Sequence, residues 1–111
     1  MYTLEFDENS LLGILQKNIP VLLNIYEKDE ILSELMSAAM VNVQKNIDER
    51  IMVGSIRRDK FQNVLDKYEL CGNIEVKRFP VIWFIKNGII LDRMEGFCRV
   101  GKIVDFVRKV A

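Results

Sequence analysis

The side chains of this chain that could carry or direct covalent chemistry are Cys71, Cys98, Ser33 and Glu30. The two thiols lie far apart in sequence and the chain has no histidine, which excludes a zinc site and leaves no imidazole base. Without a base, Ser33 is a small polar residue at a helix start rather than a nucleophile. Cys98 has the more suggestive setting, two residues after Gly96, beside Arg99 and just ahead of a helix-patterned stretch. A helix N-terminus and a neighbouring cation both favour thiolate formation. On that reading Cys98 is the centre of a single-cysteine thiol enzyme, with glutathione or a peroxide as co-substrate. The plainer reading is a free thiol packed as a small hydrophobe, and it applies to Cys71 with more force.

The elements that must position these groups follow from the apolar pattern. Tyr2, Leu4 and Phe6 alternate with polar residues as in a short strand, and Asp7 or Asn9 caps a helix carrying Leu11, Leu12, Ile14 and Leu15. Val21 to Tyr26 is apolar at nearly every position, as expected of a central strand covered on both faces. From Asp29 to Asn46, Leu32, Leu35, Met36, Ala39, Met40 and Val43 recur at spacings of three and four, one face of a long helix. Ile51 to Ile56 is a further strand. Asp59 with Gln62 then resembles a capping box for a helix bearing Phe61, Val64, Leu65 and Tyr68, which Cys71-Gly72 would end.

Pro80 opens the apolar run Val81-Ile82-Trp83-Phe84-Ile85, and Asn87-Gly88 turns the chain into Ile89-Ile90-Leu91, a buried hairpin with a proline at its mouth. Trp83 and Phe84 fall on opposite faces of that strand and belong to the core. Val100, Ile103, Val104, Val107 and Val110 form the stripe of a last helix, and Arg108 and Lys109 complement its C-terminal end. The order is β-α-β-α-β-α-β-β-α. It requires a largely parallel sheet with helices on both faces and an antiparallel pair at the end.

Composition narrows the function classes. One hundred and eleven residues fit a single domain, 1–111, able to bury a core without staples. Sixteen basic residues balance sixteen acidic ones, so no net field attracts nucleic acid or an anionic membrane. The cluster Arg57-Arg58-Asp59-Lys60 reads as a solvated strand-to-helix turn. The N-terminal residues lack the pattern of a signal peptide and no run reaches transmembrane length. The expectation is a cytoplasmic protein with no metal and no cofactor.

Taken together, Phe79-Pro80-Val81-Ile82-Trp83-Phe84-Ile85-Lys86-Asn87-Gly88 and the later Gly96 resemble the thioredoxin family, whose pattern is Ile-Pro-Thr, an apolar strand, Lys-Asn-Gly and a later glycine. Val21 to Tyr26 is similar to the strand that leads to the family's active site, and 29–46 to the helix after it. The resemblance implies an α/β thioredoxin-like fold, a central mixed five-stranded sheet with two helices on each face. It also places the family's Trp-Cys-Gly-Pro-Cys motif at Asp29-Glu30-Ile31-Leu32-Ser33, so that Glu30 and Ser33 stand for the two thiols. Neither can carry out thiol–disulfide exchange. The family's buried aspartate falls at Asn24, and its companion lysine near Ser55.

What the resemblance leaves is a redox-inactive scaffold with a groove around a cis-proline at Pro80. The family lays extended partner segments against that loop, strand to strand. Here Glu30, Ile31, Leu32, Ser33, Arg78, Phe79, Pro80, Gly96 and Phe97 would form the binding surface, for an unknown protein or an extended peptide. Glu30 has two readings at this point: an acid stabilised by the helix dipole, or the partner of Arg78 across the groove. A second copy of the chain, held through the same apolar patch, is the alternative occupant.

Overall fold

The computed structural model describes residues 4–68 and 80–110; within 65–68 it describes the backbone only. The chain order is β1 (Leu4–Glu5), α1 (Glu8–Leu15), β2 (Val21–Tyr26), α2 (Ile31–Asn46), β3 (Met52–Arg57), α3 (Arg58–Tyr68), β4 (Val81–Lys86), β5 (Ile89–Glu95) and α4 (Val100–Val110). The strands form one five-stranded sheet in the order β1-β3-β2-β4-β5. β1, β3 and β2 run parallel, β4 is antiparallel to β2, and β5 is antiparallel to β4.

β2 and β4 occupy the centre because both of their faces are apolar. Val21, Leu23, Ile25, Val81, Trp83 and Ile85 point to one side, where Leu11, Leu12 and Leu15 of α1 and Phe61 and Val64 of α3 cover them. Leu22, Ile82 and Phe84 point to the other, where Met36, Met40 and Val43 of α2 and Ile103, Val104 and Val107 of α4 pack. Two helices thus lie on each face. Trp83 anchors the first layer, its ring edge-on to Phe61 at 4.8 Å between centroids and 81° between planes.

The short β1 is held by a plug. Phe6 donates its backbone N–H to Ser55 O (2.8 Å) and buries its ring over Gly54. A Cβ at Gly54 would sit 2.2 Å from Phe6 Cε2, so only glycine fits there. Asn87 and Gly88, at φ of 56° and 73°, make the turn that their types favour.

Several local expectations need correction. α2 begins at Ile31 rather than Asp29, because Asp29 has φ of 61° and Glu30 is extended. Leu32 and Leu35 face solvent instead of the core, and Ser33 takes a buried place beside Met36 and Met40. The stretch from Arg57 to Lys60 is no turn, since β3 ends at Arg57 and α3 starts at Arg58. Asp59 therefore lies within the first turn of α3, where its carboxylate binds Arg57 Nε (2.6 Å) and Nη2 (2.8 Å).

The hairpin is buried on β4 only; in β5, Ile89 and Leu91 are exposed. A bulge shifts the register between Phe84, which pairs with Asp92, and Ile85, which pairs with Ile90, leaving Leu91 as the extra residue.

Candidate functional site

Strand β2 ends at Tyr26 and the chain turns through Lys28 and Asp29 into α2. Asp29 occupies the left-handed region, an uncommon place for a non-glycine residue, and it aims the next residue at the helix start. Glu30 is the N-cap. Its carboxylate accepts from Leu32 N (3.2 Å) and Ser33 N (2.9 Å), two of the N–H groups that a helix start leaves without an intrahelical partner.

The Ser33 hydroxyl donates to Glu30 Oε2 (2.8 Å) and accepts from Glu27 N (3.2 Å), tying the turn to the helix. The Ser33 hydroxyl and the backbone N–H groups together hold the Glu30 carboxyl below its ordinary pKa. Glu30 is thus a capping residue rather than an acid inside the first turn. Arg78, its other candidate partner, lies outside the described residues together with Phe79, Cys71 and the peptide bond before Pro80.

Beneath this helix start lies a buried polar cluster. Asn24 and Ser55 are register partners on β2 and β3, the two positions matched to the family's aspartate and lysine. Asn24 Nδ2 donates to Ser55 Oγ (3.2 Å) and Ser37 Oγ (3.4 Å). Asn24 Oδ1 has no partner among the described residues. All of these groups remain neutral, so the cluster can hold a shape but has no ionisable proton to give.

The remaining site residues converge on the same end of the sheet. Val81 pairs with Ile25 and with Glu95, which brings Pro80 and Gly96 together, and Gly96 N donates to Pro80 O (2.8 Å). Pro80 is buried, and Gly96 turns the chain at φ of 81°. Phe97 follows in solvent, while Cys98 is turned inward with its thiol 3.7 Å from Gly96 O, packed in the layer that holds Leu22, Met36 and Ile103. Around the capped helix start, Ile31 is 73 % exposed, Leu32 44 % and Phe97 40 %. Leu35, at 50 %, extends this exposed apolar surface along α2, a continuation missed because its spacing also fits the core face.

On the other side of the same turn lies an open cleft of about 630 Å³ lined by Glu27, Lys28, Arg57, Arg58, Asp59 and Gln62. Its arginines are neutralised within the chain: Arg58 Nη1 reaches Glu27 Oε1 at 2.6 Å, and Arg57 is held by Asp59. Tyr26, next to this cleft, has its phenol pushed up to about 12, first by burial and then by its hydrogen bond to Glu5. Among the described residues no cluster of three or more His, Cys, Asp or Glu side chains is placed to hold a metal ion, and no helix is long and apolar enough to cross a membrane.

The sheet order, the parallel and antiparallel pairings and the two helices on each face give the chain a thioredoxin-like fold. Among solved structures it is similar to thioredoxin-2 of the malaria parasite, described as a component of that organism's protein secretion machinery. The TM-score is 0.66, with 25% identity over 84% of each chain. It is also similar in fold to chloroplastic thioredoxin z, at a TM-score of 0.72 and 16% identity, over 99% of this chain and 95% of that one. No protein-family profile matches the sequence, and no curated protein matches it.

Proposed function

We propose that the protein is a redox-inactive thioredoxin-like binding module, which holds an extended segment of a partner protein in the groove between the α2 N-terminus, Pro80 and Phe97. One observation supports this above the others. The residues that the resemblance matches to the two thiols are engaged with each other and with the helix backbone, Ser33 being 1 % exposed, while Ile31, Leu32 and Phe97 beside them carry apolar area in solvent. A site whose former reactive positions serve as a helix cap, ringed by exposed large apolar side chains, is suited to contact rather than to turnover. Affinity would come from covering those side chains and from backbone pairing at the Pro80 loop.

The test is to select extended peptides from a displayed library on the wild-type protein and titrate them against Phe97→Ser. Binding should weaken by about tenfold or more, the equivalent of ~1.4 kcal/mol, with the thermal unfolding curve unchanged. Undiminished binding would remove the groove from the function. In the same preparation, a Cys98 thiol that alkylates faster in the folded protein than free cysteine would favour the glutathione- or peroxide-dependent enzyme instead.

A further inference from the structure

Helix α2 carries apolar side chains on two sides, and the fold covers one of them. Met36, Met40 and Val43 are buried against the sheet. Ile31, Leu35 and Ala38, spaced i, i+4 and i+7, lie on the outer side in solvent, with Ala39 half-buried at its margin. A helix apolar on both sides is normally covered on both. We propose that a second copy of this chain covers the outer side, the two α2 helices packing antiparallel across a two-fold axis at Ala38 and Ala39.

The order of residues along the helix selects a second copy. The bulky side chains Ile31, Leu32 and Leu35 occupy its N-terminal half, and the smaller Ala38, Ala39 and Asn42 follow. Antiparallel packing then sets Leu35 against Asn42 of the other copy and Ile31 against its Asn46, and the two alanines let the backbones approach at the crossing point. Charge agrees with the same register. Glu34 and Lys45 lie on one flank of the stripe, both exposed, and neither has an ion pair among the described residues.

With the axis at Ala38 and Ala39, Lys45 of the other copy lies two residues, about 3 Å along the helix, from the level opposite Glu34, a gap that their long side chains span, twice by symmetry. A parallel pair would set like against like. The stripe between them carries no charge. One helix pair buries less than the roughly 800 Å² per partner of a standard interface, so the dimer is a weak one that dissociates on dilution. The interface does not rest on the groove reading, but it shares Ile31 with it, so dimerisation would mask one wall of the groove.

Sedimentation velocity across a concentration series tests this. The wild type should move from monomer to dimer as concentration rises. Glu34→Lys and Lys45→Glu should each raise the midpoint about tenfold, because two attractive pairs become repulsive. The double charge swap should return it to the wild-type value, and Leu35→Arg should abolish dimerisation with the melting curve preserved. A wild type that stays monomeric throughout, a double swap no better than either single variant, or a Leu35→Arg protein that still dimerises would each overturn the interface. Phe97→Ser separates the two proposals, since it should weaken the groove and leave the sedimentation series unchanged.

Discussion

The two faces of the sheet are built on different terms. Beneath α1 and α3 the core is built of large apolar and aromatic side chains and specified by shape, with Trp83 and Phe61 edge to face, the Trp83 indole N–H buried without a partner among the described residues, and Phe6 filling the space over Gly54. Beneath α2 and α4 an equally buried layer contains Asn24, Ser33 and Ser55, with Ser37 half-buried beside them. The polar residues are confined to one place, the start of α2, and are linked to one another or to the turn before the helix. A buried polar group costs free energy unless it is paired, so this face trades packing energy for a fixed helix start. The difference separates the face that carries the candidate site from the face specified by shape.

The apolar face should respond most strongly to truncation. Trp83→Ala should remove about 4 kcal/mol, the usual cost of truncating a large buried aromatic, a substantial part of the 5–15 kcal/mol that holds a typical domain. Urea denaturation should show it as a large drop in midpoint, with the groove peptides still binding below the transition.

On the polar side, Ser33→Ala should cost less, about 1–2 kcal/mol, because it strands the Glu27 N–H and loosens Glu30. Its signature is selective: amide exchange should accelerate at 27–33 and not in α4.

The smallest effect is a slope. The folded-state pKa of Glu30 is depressed, chiefly by the Ser33 hydroxyl, below its ordinary 4.5. The stability it contributes is therefore present above 4.5 and lost as pH falls through the lower folded value. Glu30→Gln should flatten that acid limb in melts recorded between roughly pH 5 and 3, and an unchanged limb would mean that the cap does not depend on charge.

The order of elements, the hairpin turn and the central strands were legible because their signals are local and redundant. β2 and β4 are apolar on both faces, Asn87-Gly88 makes the turn, and each long helix shows a stripe. What was not legible depended on choosing between equal patterns. α2 has two apolar stripes, and periodicity alone does not say which one faces the sheet, so Leu32 and Leu35 read as core.

Asp59 with Gln62 has the spacing of a capping box, but a strand that runs straight into a helix moves Asp59 inside the first turn. Leu91 looks like a core residue until the bulge sets it aside as the extra residue, and Ile89 looks like one but faces solvent beside the turn, paired with exposed Lys86. Glu30 and Ser33 were found by resemblance. Their mutual hydrogen bond required knowing that Glu30 is extended and Ser33 is helical.

The bulge at Leu91 bears finally on how the protein avoids its own kind in the wrong way. A sheet of this order has two open edges, and an open edge is a template for uncontrolled strand addition. One edge, β1, spans only Leu4–Glu5 among the described residues. The other, β5, exposes Ile89 and Leu91, but its ladder is broken by the bulge and its second half carries Asp92, Arg93 and Glu95. Among the described residues neither edge presents a long, flat, uncharged strand, so strand addition along the sheet is discouraged.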